Sequence, residues 1–130
     1  MKPDEKQSVV EAEQLNIRLE GIERRLESLA RSRAEAKELL ISLGQLPTLK
    51  DGDDLLVPVA TGLFTKARAV ASDTLLVNVG DGVTVEKTVA EVRAMVEAQI
   101  KRMDEQEAHL HAQFEAGLSR LGELQQVFKG

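Results

Sequence analysis

Three groups of residues carry side chains or glycines that could bind a metal ion or a phosphate, but each has unsuitable spacing. His109 and His111 are about 200° apart around a helix axis, so they cannot bind one metal from a single face. Residues 51–54 resemble the start of a calcium loop, yet Gly62 occupies the position of its bidentate glutamate. Gly80-Asp81-Gly82 lacks the third glycine of a nucleotide-binding loop and is typical of a hairpin turn. The sequence therefore predicts no metal, no cofactor and no enzymatic activity.

The composition also argues against a globular enzyme. The chain has 130 residues, 42% hydrophobic content, three Phe and no Tyr or Trp, so it lacks the bulky side chains that usually fill a compact core. The absence of Cys excludes a disulfide framework, a cysteine zinc site and a thiol nucleophile. The net charge is −5 and no segment is basic, which excludes the usual nucleic-acid binder. No apolar run suits a signal peptide or a membrane span, so we expect a soluble, cytoplasmic protein without a membrane partner.

The elements that position these residues begin with a helix predicted over residues 4–46. Its apolar residues recur at steps of three and four for more than four heptads, which favours a left-handed coiled coil. Arg33 interrupts this seam, and Gly44 and Pro47 end the helix. The apolar seam positions are Ala12, Leu15, Leu19, Ile22, Leu26, Leu29, Ala36, Leu40 and Leu43.

Two consecutive β-hairpins are predicted over residues 55–87, with strands at 55–60, 63–70, 74–79 and 83–87. Alternating apolar residues give the strands of the second hairpin one apolar face. Isolated hairpins are marginal in water because their apolar face is uncovered and their edges are unpaired. We therefore expect partner chains to complete the sheet. The candidate assembly residues are Leu56, Val57, Val59, Leu63, Phe64, Leu75, Val77, Val79, Val83 and Val85.

A second helix is predicted over residues 88–128. Thr88 and Glu91 have the spacing of a capping box at its start. Its seam is weaker than the first, because Gln99, Gln106 and Gly117 occupy seam positions and an interior glycine costs up to ~1 kcal/mol relative to alanine. Two successive steps of four, from residue 106 to 110 to 114, predict a stutter in the supercoil. The other seam positions are Val89, Val92, Val96, Met103, Leu110, Phe114, Leu121, Leu124 and Phe128.

Both helices contain about 40 residues and would each extend roughly 60 Å. Equal lengths on either side of the hairpins predict an antiparallel pair whose chain termini meet at the end farthest from the hairpins. The fold class is thus α+β, a long two-helix coiled coil with two inserted hairpins, in a single domain over residues 1–130. The terminal end is unusually apolar, and its residues either bind apolar segments of other proteins or only seal the coil. These candidates are Val9, Val10, Leu118, Leu121, Leu124, Val127 and Phe128.

The order helix, two hairpins, helix resembles the alpha-type subunits of the prefoldin family. The resemblance is specific in Leu55-Leu56-Val57-Pro58, in the run from Leu75 through Asn78-Val79-Gly80-Asp81-Gly82 to Val83, and in Val85-Glu86-Lys87-Thr88. It is generic in the helices, where any coiled coil would look similar. Two hairpins rather than one indicate the alpha class.

This resemblance implies an ATP-independent chaperone subunit. It implies a hexamer of two alpha-type and four beta-type subunits, whose hairpins complete intersubunit β-barrels. It also implies that the coil tips hold unfolded client proteins and deliver them to a group II chaperonin. Two alternatives remain open, namely a structural homo-oligomer or filament and an adaptor in a larger complex.

Overall fold

The computed structural model describes residues 3–45, 50–70 and 73–129, with only the backbone described for Pro3, Phe128 and Lys129. The chain divides into two compact units, which we call the coil unit (Met1–Glu35 with Ile100–Gly130) and the hairpin unit (Ala36–Gln99). The elements in chain order are α1 Pro3–Gln45, β1 Asp54–Ala60, β2 Leu63–Arg68, β3 Thr74–Gly80, β4 Val83–Thr88 and α2 Val89–Lys129. The predicted order of helix, two hairpins and helix is confirmed, whereas the predicted helix end at Leu46 lies outside the described residues.

In the coil unit, α1 and α2 pack as an antiparallel pair. Arg120, late in α2, contacts Glu11, early in α1, and Arg33 contacts Asp104. The buried side chains recur at the heptad spacing of a left-handed coiled coil. They are Leu15, Leu19 and Ile22 on α1 and Leu110 and Leu124 on α2.

The predicted seam of α2 is wrong at two positions. Gln99 and Gln106 are exposed, and the next residues, Ile100 and Glu107, are partly buried instead. Glu107 occupies the interface because its carboxylate forms an ion pair with Arg33 across the coil. The inner face of α2 therefore includes Glu107, which has a charged partner on α1, and not Gln106, which the periodicity predicted there.

This change of phase removes the predicted stutter between residues 106 and 114. The buried or partly buried positions of α2 in the coil unit are spaced by alternating steps of four and three, the regular heptad pattern. They are Ile100, Met103, Glu107, Leu110, Phe114, Gly117, Leu121 and Leu124.

The hairpin unit contains two separate two-stranded antiparallel sheets, β1 with β2 and β3 with β4. The second hairpin turns through Asp81 and Gly82, whose φ angles of 50° and 74° are both positive. This combination is typical of a type I′ turn, which matches the right-handed twist of the strands. The helical ends of this unit bury Ala36 and Leu43 of α1 and Val92 and Val96 of α2.

The strand β2 ends at Arg68, two residues before its predicted end at Val70. A turn before β1 accounts for the difference. Within it, Asp53 N donates to Lys50 O at 3.0 Å, and Lys50 N donates to Asp53 Oδ2 at 2.8 Å. Ala69 N still donates to Asp53 O at 2.8 Å, so the segments before β1 and after β2 remain joined as far as this turn. The acidic run that resembled a calcium loop is thus a local turn.

Candidate functional site

The second hairpin has one apolar face, as its alternation predicted. In the register of the ladder Val77 is opposite Val85, and Leu75 is opposite Lys87. The other face is mainly polar, although it includes the exposed Leu76. The apolar face is formed by Leu75, Val77, Val79, Val83 and Val85, of which Val79 and Val83 are more than half exposed.

The first hairpin differs because it has apolar residues on both faces. Leu56 and Phe64 lie on one face and are 69% and 57% exposed. Val57 and Leu63 lie on the opposite face and are also exposed, while Val59 lies at a register shift near the turn. A two-stranded sheet leaves an unpaired edge on each strand. The ten candidate assembly residues therefore lie on hairpins that expose apolar side chains and that, among the residues the structure describes, pair with no third strand.

A capping box joins the second hairpin to α2 without an intervening loop. Thr88 N donates to Glu91 Oε1 at 3.2 Å, and Glu91 N donates to Thr88 Oγ1 at 3.1 Å. The backbone hydrogen bond from Thr88, together with the bond from its hydroxyl, lowers the pKa of Glu91. Val89 N also donates to Asp73 O at 3.0 Å. These bonds satisfy N–H groups that a helix start would otherwise leave unpaired.

The candidate tip residues fall into two groups. Val9 and Leu121 are partly buried and Leu124 is only 3% exposed, so these three pack into or beside the coil interface. The side chain of Phe128 lies outside the described residues. The remaining candidates are about half exposed, namely Val10 (52%), Leu118 (48%) and Val127 (47%). They offer apolar surface near the paired ends of the helices.

Arg120 links the two helices near these exposed residues. Its Nε and Nη2 donate to the two carboxylate oxygens of Glu11 at 2.8 and 3.1 Å, and its Nη1 donates to Glu123 Oε2 at 2.9 Å. The hydrogen bond with Arg120 lowers the pKa of Glu11, and the bonds to Glu11 and Glu123 raise the pKa of Arg120. The groups are solvated, so salt screens their attraction. The bidentate geometry makes this a specific contact between α1 and α2, but a solvated ion pair contributes little to the alignment of the two helices.

Comparison with known proteins identifies this arrangement of helices and hairpins. The family model described as "Prefoldin subunit" matches residues 15–129, which include both hairpins, most of α1 and all of α2. The chain belongs to the prefoldin family.

Its prefoldin relatives include several proteins named prefoldin subunit alpha, in agreement with the alpha class that the two hairpins indicate. The protein of Methanothrix thermoacetophila is 33% identical over 101 residues, which are 77% of this chain and 65% of that relative. The chain thus spans slightly less than two thirds of that protein's length. The protein of Methanococcus aeolicus is 28% identical over 102 residues, which are 78% of this chain and 71% of that relative.

A solved prefoldin structure has the same fold. The cryo-EM structure of filamentous prefoldin from Methanocaldococcus jannaschii matches with a TM-score of 0.78 and 22% identity, and the match covers 88% of this chain and 94% of that one. The fold class predicted from sequence, two long helices with two inserted antiparallel hairpins, is thereby confirmed.

Two features of this prefoldin subunit were missed at the level of sequence. Ile17 is 67% exposed and lies one heptad after Val10 on the same face of α1. The sequence signal for this exposed residue was an apolar side chain at a position opposite the seam, where coiled coils usually carry polar residues. The second feature is the pairing of Arg33, noted from sequence only as an interruption of the seam, with Asp104 and Glu107 of α2. Its signal was a charged residue at a seam position.

The part of the chain that the structure describes shows no cluster of three or more His, Asp or Glu side chains that could hold a metal ion. His111 instead lies beside a carboxylate on its own helix, with Nε2 3.6 Å from Glu107 Oε1. Over the same described ranges, neither helix has a stretch long and apolar enough to cross a membrane.

Proposed function

We propose that this chain is a non-enzymatic, ATP-independent chaperone subunit, acting in the cytoplasm as one prefoldin-like domain over residues 1–130. The observation that carries the proposal is the family match, which extends over the coil and both hairpins rather than over a short motif. The exposed apolar faces of the hairpins and the exposed apolar residues near the ends of the helices support it.

In this proposal the hairpins assemble the complex. Two alpha-type chains join four beta-type subunits, and strands of neighbouring subunits pair with the free edges to close β-barrels. Closure would remove the unpaired backbone groups at those edges and cover the apolar face around Val77 and Val85. A charged residue at this face would then prevent assembly while leaving the coil intact, because the coil unit has its own buried core.

Client proteins would bind at the coil ends. Val10, Leu118 and Val127 each offer a small apolar contact, which is weak by itself. Several tethered coil ends would raise the effective concentration of such contacts for one unfolded chain, so that weak contacts add to useful affinity. The complex would then deliver the client to a group II chaperonin.

Replacing the three exposed tip residues tests client binding. We expect V10S/L118S/V127S, assembled with beta-type subunits, to lose most of its suppression of aggregation of a chemically denatured protein, measured by light scattering. The matched control is L39S/I41S/M95S, which replaces three exposed apolar residues of the hairpin unit. If the tip variant suppresses aggregation as well as the control does, the tips of this subunit are not the client site.

A structural filament is the second candidate, favoured by the similarity to a filamentous prefoldin and by the free strand edges. Sedimentation and negative-stain microscopy of the purified chain alone distinguish the two candidates. A filament subunit would grow into open-ended polymers without a partner, whereas a chaperone subunit would reach a defined hexamer only with beta-type subunits. Capture of a fixed partner without aggregation suppression would instead indicate an adaptor in a larger complex.

A further inference from the structure

The apolar seam alone does not define how far α1 is displaced along α2 in the coil unit. Its buried positions are mostly Leu and repeat every seven residues on both helices. A slip of one heptad moves one helix by about 10 Å and again places aliphatic residues opposite each other.

Arg33 and its two carboxylate partners, which we call the Arg33 cluster, distinguish one displacement of α1 along α2 from the others. Arg33 Nε lies 3.0 Å from Asp104 Oδ1, oriented as an ion pair rather than a directed hydrogen bond, and Nη1 donates to Glu107 Oε2 at 3.0 Å. The side chains of Arg33 and Glu107 are each only 34% exposed. The guanidinium thus joins two carboxylates one helical turn apart.

A slip of one heptad in either direction moves Arg33 away from both carboxylates. In one direction Arg33 would face His111 and Phe114, which provide no carboxylate. In the other it would face Glu97 and Ile100, with one carboxylate instead of two. Partly buried charges without partners are unfavourable, so the slipped alignments are disfavoured.

A steric contact also disfavours the slipped alignments. A Cβ built on Gly117 would lie 2.8 Å from Leu19 Cδ2, so a side chain at position 117 would require the Leu19 methyl group to move. One heptad away on α2 the corresponding residues are Leu110 and Leu124, both buried. After a slip, Leu19 would meet one of these leucines instead of a glycine, and the helices would have to move apart.

We infer that the Arg33 cluster and the Leu19–Gly117 contact together determine the alignment of α1 with α2, and that Arg33 serves alignment rather than stability. A polar group in an apolar seam often has this role, because it selects one register at a cost in stability. The inference concerns the coil itself and does not depend on the proposed chaperone function.

Distances between spin labels on the full chain test the inference. The chain has no Cys, so Asn16→Cys and Ala108→Cys introduce two unique labelling sites, both exposed. Taking the Leu19–Gly117 contact as reference, the two sites are roughly 18 Å apart along the coil. Labelled chain diluted into unlabelled chain reports the distance within one molecule, and a one-heptad slip changes the axial separation by about 10 Å.

We expect one distance for the labelled parent chain and for Arg31→Leu, the control at an exposed arginine of α1. We expect a second population, shifted by up to about 10 Å, for R33L/L19A. R33E should also show the second population, and R33E/D104N/E107R should regain the single distance, because the ion pair with residue 107 is restored with reversed charges and no carboxylate remains opposite residue 33. A single unshifted distance in R33L/L19A overturns the inference. If that variant does not fold, an unshifted distance in R33E, or failure of D104N/E107R to restore it, overturns the inference instead.

Discussion

Gly117 and Gly122 are two glycines on one helix for which the structure predicts opposite responses to the same substitution. An interior glycine destabilises a helix by up to ~1 kcal/mol relative to alanine, so by helix propensity alone both residues would weaken α2 equally. The structure separates them. A Cβ on Gly122 meets nothing within 4 Å, whereas a Cβ on Gly117 meets Leu19 Cδ2 at 2.8 Å and Cγ at 3.5 Å.

The two effects can be compared in magnitude. Gly122→Ala should stabilise the chain by up to ~1 kcal/mol, since only the helix propensity changes. Gly117→Ala gains the same propensity but forces the buried Leu19 side chain to move, and such overpacking typically costs about 1–3 kcal/mol. We expect Gly117→Ala to range from neutral to about 2 kcal/mol destabilising. The two variants should therefore differ by about 1–3 kcal/mol.

Urea denaturation followed by the helical circular dichroism signal measures this difference. The full chain should be used at one protein concentration, because the stability of an assembling protein depends on concentration. The two glycines are matched controls for each other, since they share a helix and a residue type.

A double-mutant cycle identifies the cause. In a Leu19→Ala background the obstruction is removed, so Gly117→Ala should become stabilising by up to ~1 kcal/mol, as at Gly122. The coupling between residues 19 and 117 should be about 1–3 kcal/mol. Equal stabilisation by Gly117→Ala and Gly122→Ala in the parent chain, or no coupling in the cycle, would refute the close-packing explanation.

Three further predictions follow from local contacts. The lowered pKa of Glu11 means that its bond to Arg120 stabilises the folded chain above about pH 4.5. This stabilisation is lost as the pH falls through the pKa of Glu11 in the folded state. The difference in melting temperature between the parent chain and Arg120→Gln should therefore disappear on acidification. An unchanged difference at low pH would contradict this cause. Thr88→Ala should destabilise the chain by about 1 kcal/mol in urea, with Thr84→Ala as the exposed strand control, because it removes the capping hydroxyl. Gly82→Ala should destabilise by about 1 kcal/mol, since its φ of 74° disfavours a side chain, and a neutral result in the same assay would contradict the assigned turn.

Much of the fold was predictable because it depends on near neighbours. The capping box joins residues three apart, and the hairpin turn depends on Asp81 and Gly82 themselves. The seam of α1 was also predicted in full, since each of its predicted apolar positions from Ala12 to Leu43 is buried or partly buried. Long heptad patterns give such a signal because burial and helical periodicity reinforce each other over many turns.

The candidate surfaces were predicted less completely than the elements that carry them. The second hairpin has its predicted apolar face, but the first has apolar residues on both faces, and Leu56 and Phe64 are on the side opposite Val57. At the coil end, Leu124 is buried while Val10 is exposed, although sequence placed both in one apolar group. Hydrophobicity alone does not indicate which of several apolar residues another helix covers.

By itself the sequence determined the two helices, the four strands, the turn and cap that begin or end them, and the resemblance to the prefoldin family. The tertiary structure decided the inner face of α2, the role of Arg33 and the reason for a glycine at position 117. Those features depend on pairs far apart in the chain, such as Arg33 with Glu107, separated by 74 residues. A repeating seam is compatible with several alignments of two helices, and only the contacts between the helices select one of them.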